Sequence, residues 1–280
     1  MGTILCSFPE IFGSYSKDEN PNPSKFPMHT HFQYELFYFI AGEAVYHVEG
    51  SEYTLQPGDM MLMRPAEAHY IEPKPGVPYE RVVINFDGSI FSAIDPQGNL
   101  LRAYTNRESG KGNLYRKEDF TDCDSSAFIK LLYDHRADRV GSIATMILLL
   151  CAINRVFDNA PPAHAQTDGV EYRLLRYINN HLSMDLDLEH LTQRYFISRA
   201  QLCRRFKKAT GTSVGRYINA KRLVAAKTMI ISGKKPTEVY TACGFTDYST
   251  FYRAYCKYFG HSPKDESAAL CVQPQELLIE

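Results

Sequence analysis

Two arginines, Arg204 and Arg253, stand 49 residues apart in stretches that share one spacing of basic and apolar residues. The guanidinium group is a rigid fork of N–H donors that matches the O6 and N7 acceptors of guanine. Neighbouring lysines carry a positive charge but lack the planar fork. A positive charge of this kind suits contact with a phosphate. The chemistry available to these residues is therefore contact with a nucleic acid.

A repeat of 49 residues surrounds both arginines, and its matched positions have the same chemical character. Ser198 falls on Asp247, and both are good helix N-caps. The other matched pairs are Leu202 with Phe251, Phe206 with Tyr255, Lys208 with Lys257, Gly211 with Gly260 and Ser213 with Ser262. Each copy predicts a short helix, a turn and a capped second helix, which is the helix-turn-helix layout. A purely structural helix pair is the alternative.

The helical period decides which side chains of each second helix face outward. If Leu202 and Phe206 face the core, a step of about 100° per residue places Arg204 on the opposite side. The predicted DNA-contacting residues are Arg199, Ala200, Cys203, Arg204, Lys207 and Lys208 in the first copy, and Tyr248, Ser249, Tyr252, Arg253 and Lys257 in the second. We assign base contacts to Arg204 and Arg253, and phosphate contacts to Arg199, Lys207, Lys208 and Lys257.

The charge is unevenly distributed along the 280 residues. Residues 1–165 hold 14 Lys and Arg against 21 Asp and Glu, whereas residues 166–266 hold 17 against 9. The net charges of −7 and +8 indicate that only the second part contacts a polyanion. A composition of 44% hydrophobic and 22% charged residues excludes fibrous and wholly disordered classes. The seven cysteines form no CxxC pair, so we expect reduced thiols. The longest apolar stretch, Ile143 to Ile153, is about half as long as a membrane span requires, and Met1 to Glu10 resembles no secretory signal, so we expect a cytoplasmic protein without a membrane span.

Three segments of the basic part resemble the DNA-binding domain of AraC-type transcription regulators. They are Leu188-Glu189-His190-Leu191, the run Ser198-x3-Leu202-x3-Phe206-Lys207-Lys208-x2-Gly211, and the run from Ala242-Cys243-Gly244-Phe245 to Gly260-x-Ser262-Pro263. Tyr255 and Cys256 depart from the family, which usually has Phe and often Lys there. The resemblance implies double-stranded promoter DNA as a partner, a small-molecule effector, a homodimer, and contact with RNA polymerase if the protein is an activator.

The first part predicts an all-β unit from about Met28 to Phe86. Strands are predicted over 34–40, 44–48 and 60–62, bounded by Gly42, Gly50 and the Pro57-Gly58-Asp59 turn. The spacing of His29, His31, Glu35 and Gly42, with the later Pro57-Gly58-Asp59 and Pro65-x3-His69, resembles the two motifs of a cupin barrel.

The cupin resemblance implies that His29, His31, Glu35 and His69 form a site. In cupin enzymes the matching residues bind a divalent metal, whereas in sensor barrels the histidines commonly serve ligand binding or packing. We predict an effector pocket with no metal and no cofactor; any metal would use these four residues. A sugar is our candidate effector, and His47 is assigned to the surface or to packing.

A helical segment is predicted over 125–158, where Val140, Ile143, Ile147 and Leu150 recur at helical spacing. Core burial and self-association are equally compatible with that seam. The fold prediction is an α+β multidomain protein: a cupin-like effector-binding barrel (1–124), a helical dimerisation segment (125–158), a linker (159–167) and a DNA-binding domain with tandem helix-turn-helix motifs (168–280). The predicted function is an effector-responsive regulator of carbohydrate or carbon-source genes, not an enzyme. A metal-dependent oxygenase or isomerase fused to a DNA-binding domain is the alternative.

Overall fold

The computed structural model describes residues 2–159, 170–210, 212–265 and 277–278. We call residues 2–159 the β region and residues 170–265 the helical region. The predicted linker lies outside the described residues except for Asn159, which ends a helix. Gly211, predicted to end a helix, also lies outside them.

All strand pairs in the described part of the chain are antiparallel, in one six-stranded and one five-stranded sheet. The strands are β1 (Gly2–Phe8), β2 (Ile11–Asp18), β3 (His29–Thr30), β4 (Tyr34–Ala41), β5 (Ala44–Val48), β6 (Ser51–Thr54), β7 (Met60–Met63), β8 (His69–Pro73), β9 (Tyr79–Phe86), β10 (Leu114–Tyr115) and β11 (Leu277–Leu278). The sheet orders are β1-β2-β9-β4-β7-β10 and β11-β3-β8-β5-β6. The three predicted strands form as β4, β5 and β7, whereas β1 and β2 precede the predicted β unit.

The helices of the described residues are α1 (Arg102–Thr105), α2 (Ser125–Asp134), α3 (Arg139–Asn159), α4 (Val170–Asn180), α5 (Leu188–Tyr195), α6 (Arg199–Thr210), α7 (Val214–Ile231), α8 (Pro236–Ala242) and α9 (Tyr248–Phe259). The predicted single segment over 125–158 is two helices. Helix α2 ends at Asp134, and the Asp138 carboxylate accepts a hydrogen bond from the Val140 N–H at the start of α3. A polar cap therefore starts a second helix where the spacing alone predicted continuity.

Helix α3 covers the six-stranded sheet and closes the core of the β region. Leu150 is fully buried with Leu36 and Ile84, and Ile143 and Ile147 pack against the same cluster. The predicted seam therefore faces mainly inward, so core burial is the better account of Leu150, Ile143 and Ile147. By length and composition alone α3 qualifies as a membrane span, but half of its apolar stretch is buried inside the protein.

Helix α7 is the axis of the helical region, with one core at each end. Leu202 and Phe206 of α6 pack around Tyr217 in the first core. Phe251 and Tyr255 of α9 occupy the second core, which contains Leu223 and Val224. The four inward positions predicted from the repeat are therefore confirmed as core residues.

Local polar groups fix where these helices begin. The Asp187 carboxylate accepts from the His190 N–H at 2.6 Å, Ser198 Oγ from the Gln201 N–H at 3.2 Å, and the Asp247 carboxylate from the Thr250 N–H at 2.8 Å. In the second turn Gly244 has a φ of +84°, and a Cβ there would lie 2.3 Å from the Leu182 carbonyl oxygen. Only glycine fits that turn.

Candidate ligand site and nucleic-acid interface

The four residues singled out in the β region come together between the two sheets. His29 and His69 are directly paired across β3 and β8, His31 follows β3, and Glu35 lies on β4 of the other sheet. Their potential ligand atoms all lie within 4.8 Å of one another. His31, Glu35 and His69 are buried, and His29 is partly exposed.

Backbone carbonyl groups orient the three imidazole rings. The Nδ1 atoms of His29, His31 and His69 lie 3.1, 2.9 and 2.7 Å from the carbonyl oxygens of Pro27, Gln33 and Glu67. A carbonyl oxygen only accepts, so each Nδ1 carries a proton. Each Nε2 is then left for the site, which is the arrangement that second-sphere partners impose on metal-binding histidines.

The Glu35 carboxylate is the polar centre of this cluster. Its Oε2 lies 3.0 Å from His31 Nε2 and 3.7 Å from His69 Nε2, and its Oε1 accepts from the Tyr46 hydroxyl at 3.1 Å. Among the described residues no atom completes a hydrogen bond to the buried His69 Nε2. Tyr46 was not identified from the sequence, because nothing in the spacing relates it to the histidine motif.

Burial and mutual charge shift the protonation of the site. Burial alone raises the pKa of Glu35, but the His69 and His31 imidazoles outweigh it and hold the pKa well below its ordinary value. Burial lowers the pKa of His69, but Glu35 more than offsets this and raises it. Burial lowers the pKa of His29 to about 3, with His69 adding to the effect. The site thus combines a carboxylate with both donor and acceptor imidazoles.

This donor set supports two kinds of chemistry. Three imidazole nitrogens and one carboxylate fit a divalent Fe, Mn, Ni or Zn ion. The buried His69 Nε2, which has no hydrogen-bond partner among the described residues, agrees with that fit. The same groups also suit a small polar molecule with several hydroxyl groups, since carboxylate and imidazole provide acceptors and donors at close range. His47 lies apart from them, stacked on Tyr70 with ring centroids 4.2 Å apart.

A buried ion pair between Arg107 and Glu67 lies next to the site in the chain, two residues before His69. It was not predicted from the sequence. Arg107 donates to both carboxylate oxygens of Glu67, each at 2.7 Å, and both side chains are at most 4% exposed. Glu67 also accepts from the Gly110 N–H and from Asn113. Because the Glu67 carbonyl oxygen holds the His69 ring, the pair fixes one site residue in position.

The residues predicted to contact DNA lie on α6 and α9. Ala200, Cys203, Arg204 and Lys207 are exposed on α6, as are Ser249, Tyr252 and Arg253 on α9. Arg199, Lys208 and Lys257 are exposed, whereas Tyr248 is half-buried. Cys256, which departs from the family pattern, is also half-buried. In the first turn Phe196, in the left-handed region at φ +52°, is 94% exposed, which the repeat did not predict.

Comparisons with known proteins cover both regions. Residues 13–149 match the family described as AraC-like ligand binding domain, and residues 191–268 match the helix-turn-helix domain. The HTH-type transcriptional activator RhaS of Yersinia pseudotuberculosis serotype I (strain IP32953) is 24% identical over 250 residues, covering 86% of this chain and 89% of that protein.

Two further comparisons are more distant or shorter. The probable transcriptional regulator LumQ of Photobacterium leiognathi is 29% identical over 136 residues, which are 47% of this chain and 53% of LumQ. The solved structure of fatty acid-bound ToxT from Vibrio cholerae strain SCE256 is 12% identical with a TM-score of 0.41, covering 95% of this chain and 97% of that one.

Proposed function

Because the chain belongs to the AraC-type family of transcription regulators, we propose that residues 168–280 bind promoter DNA through two helix-turn-helix motifs while a cupin-like barrel, residues 1–124, binds the effector. Helices α6 and α9 act as the recognition helices. The observation that carries this proposal is their matched exposure: each buries its apolar repeat positions and exposes an arginine at the same place, Arg204 and Arg253. We also propose that the protein acts in the cytoplasm.

The length of α7 supports simultaneous contact by both motifs. Its 18 residues span about 27 Å at 1.5 Å per residue. One turn of DNA is about 34 Å, so a rod of this length is suited to place two recognition helices in successive major-groove segments. If the protein activates transcription, RNA polymerase is its further partner.

Replacing either recognition arginine should weaken specific binding more than general binding. In the full chain, Arg204→Ala and Arg253→Ala should each cost about 1–3 kcal/mol on a duplex selected from a random pool, because a bidentate guanine contact is lost. Fluorescence anisotropy on the selected duplex and on an unrelated duplex measures the difference.

The matched control is Lys257→Ala on α9, which should weaken both duplexes equally because phosphate contacts carry no sequence information. Thermal melts establish that each variant is folded. Equal losses on both duplexes for an arginine variant would show that its base contact was wrongly assigned.

For the effector we propose a sugar or a related carbon source, bound at His29, His31, Glu35 and His69. The buried carboxylate, the Tyr46 hydroxyl and the imidazoles provide hydrogen-bonding partners for hydroxyl groups, and the Phe37 ring packs edge to face on the Tyr46 ring with centroids 4.9 Å apart. A regulator that responds to a sugar would control genes of carbohydrate use. The proposal includes no resident metal and no enzyme activity.

A thermal-shift panel of monosaccharides and sugar acids tests the effector proposal. A sugar at 100 times its Kd adds about 2.7 kcal/mol to the stability of the folded protein. Glu35→Gln should abolish that shift, because it keeps the shape of the site and removes its charge. Glu72→Gln, at an exposed carboxylate on β8 of the opposite sheet, should retain the shift.

Elemental analysis of protein purified without chelator separates the two function classes. Well under one equivalent of transition metal is expected. A stoichiometric metal whose removal lowers the melting temperature would contradict the metal-free site. Turnover of a substrate by the metal-loaded protein would favour the enzyme alternative.

We also propose that the protein is a homodimer, formed through the outer face of α3 in the segment 125–158. The exposed stripe there consists of Val140, Ala144 and Leu148, and Val140 and Leu148 are 74% and 57% exposed. This corrects the predicted seam, since Leu150 is buried in the core. An i, i+4, i+8 stripe suits packing against a second helix.

Leu148→Glu should convert the dimer into a folded monomer, because it places a charge in an apolar contact. Sedimentation velocity measures the mass, and circular dichroism checks the fold. Ile94→Glu introduces the same charge at another exposed apolar residue and should leave the dimer intact. A Leu148→Glu protein that still sediments as a dimer would place the interface elsewhere.

A further inference from the structure

Phe196 follows α5 in a backbone conformation that is rare for an aromatic residue. Its φ is +52°, and it is 94% exposed. Glu49 and Ala66 are the other non-glycine residues with a positive φ in the described part of the chain, and they are buried and half-buried. A bulky residue is strained in this region because its Cβ crowds a carbonyl oxygen. The protein therefore keeps a strained backbone at a residue whose ring lies in solvent.

The second helix-turn-helix motif has a glycine where the first has this phenylalanine. After α8 the positive φ belongs to Gly244, at +84°, and the next residue, Phe245, is buried with its ring centroid 5.3 Å from that of Phe251. After α5 the positive φ belongs to Phe196, and the next residue, Ile197, packs against the first core. Ile197 therefore anchors the first turn as Phe245 anchors the second. The Phe196 ring has no part in either task.

The ring lies beside the start of the first recognition helix, α6. The Ser198 N–H donates to Gln201 Oε1 at 3.1 Å, and Ser198 Oγ accepts from the Gln201 N–H at 3.2 Å. This reciprocal cap fixes the chain where α6 begins. Phe196 and Arg199 are three positions apart, so their Cα atoms are separated by no more than about 11 Å. Because a recognition helix contacts base edges with its N-terminal residues, the ring lies at the margin of the proposed DNA surface.

The residues around the ring suit DNA better than a protein partner. Gln193, Arg194 and Arg199 are exposed on either side of Phe196 along the chain. A protein-docking patch is a continuous apolar surface of several hundred Å², whereas here one ring is flanked by polar and positively charged side chains. The two arginines are complementary to phosphates. The apolar group that the major groove presents beside them is the 5-methyl group of thymine, which phenylalanine can contact.

We propose that Phe196 packs on the 5-methyl group of a thymine next to the bases that α6 contacts, and that it makes the first motif selective for that thymine. Gly244 has no side chain to do the same, so the second motif lacks this contact. A left-handed backbone at a binding surface agrees with strain that is retained for function. The inference rests on the proposed DNA-binding function and adds a specificity-determining residue to it.

Phe196→Gly in the full chain tests the contact without disturbing the fold. Glycine adopts a positive φ at no steric cost, and the ring it replaces is exposed, so the variant should keep the melting temperature of the wild type. On the duplex selected from a random pool it should bind about tenfold more weakly, because an apolar contact is lost. Ile94→Gly is the matched control, since it removes an exposed apolar side chain of the β region and should change the affinity less than about twofold.

Deoxyuridine substitution in the DNA identifies the group that the ring contacts. Deoxyuridine pairs as thymidine does and lacks only the 5-methyl group, so each thymine of the selected duplex is replaced in turn. The wild type should lose about fourfold in affinity at the contacted position, which corresponds to one buried methyl group. Phe196→Gly should lose nothing at that position. Losses that arise from Ala200, which is also exposed on α6, should persist in the variant.

Thermal melts and sedimentation velocity on the same proteins complete the test. If Phe196→Gly does not fold, Phe196→Asn replaces it, since asparagine also tolerates the left-handed region. A folded variant with wild-type affinity, or with weaker binding but an unchanged deoxyuridine profile, overturns the thymine contact. A change of oligomeric state also overturns it, because the ring would then belong to a contact between two copies of the chain. A wild type without salt-sensitive DNA binding overturns the proposed function, whereas salt-sensitive binding that does not depend on Phe196 overturns only this inference.

Discussion

Raising the monovalent salt concentration from 50 to 200 mM should weaken the binding of the full-length protein to duplex DNA by about 150-fold. Four exposed side chains, Arg199, Lys207, Lys208 and Lys257, are assigned to phosphates. Each neutralised phosphate releases counterions, so four contacts give a slope of about −3.6 for log K against log salt. Fluorescence anisotropy over this salt range measures the slope.

A single-residue change gives this prediction its control. Lys257→Ala should make the slope shallower by about 0.9, because one phosphate contact is lost. Ser249→Ala, at an exposed neutral position of the same helix, should leave the slope unchanged. A slope near zero in the wild type would exclude phosphate contact by this face and with it the proposed DNA-binding surface.

Glu67→Gln should destabilise the β region by about 3–5 kcal/mol, the usual cost of removing one partner from a buried ion pair. Arg107, at 4% exposed, would be left with its charge buried and without a carboxylate to receive its two hydrogen bonds. Urea unfolding followed by circular dichroism measures the loss. Glu43→Gln breaks the exposed pair with Lys74 and should cost less than about 1 kcal/mol.

The same pair predicts how stability depends on pH. Burial raises the pKa of Glu67, but Arg107 outweighs it and lowers the pKa from 4.5 to about 2. A carboxyl group with a depressed folded-state pKa contributes stability above its unfolded pKa, and loses that contribution as the pH falls through the folded value. The wild type should therefore lose stability between pH 4.5 and 2, and Glu67→Gln should lose less. Parallel pH profiles for the two proteins would show that Glu67 carries no such contribution.

Local signals made the helical region predictable from sequence. Asp187, Ser198 and Asp247 cap helices through groups three residues away, and the positive φ of Gly244 belongs to its own turn. The repeat then assigned Phe251 and Tyr255 to the core. These features depend on contacts within one or two turns of chain, so the order of residues contains them.

Several elements of the β region were harder to predict from the sequence. Strands β1 and β2 were not predicted, because their pattern is interrupted by Gly13 and by polar residues, and burial in a sheet rather than strand propensity stabilises them. The break between α2 and α3 was also missed, since a run without proline indicates helix but does not reveal a polar cap at Asp138.

The histidine motif by itself named the residues of the candidate ligand site, but only the tertiary structure decided what surrounds them. Tyr46 reaches Glu35 from another sheet, Arg107 reaches Glu67 across 40 residues, and Lys221 reaches Glu49 across 172. A buried charge needs an opposite charge nearby, yet that requirement does not say which distant residue supplies it. The choice depends on how the two sheets and α7 pack, and packing is a property of the whole chain.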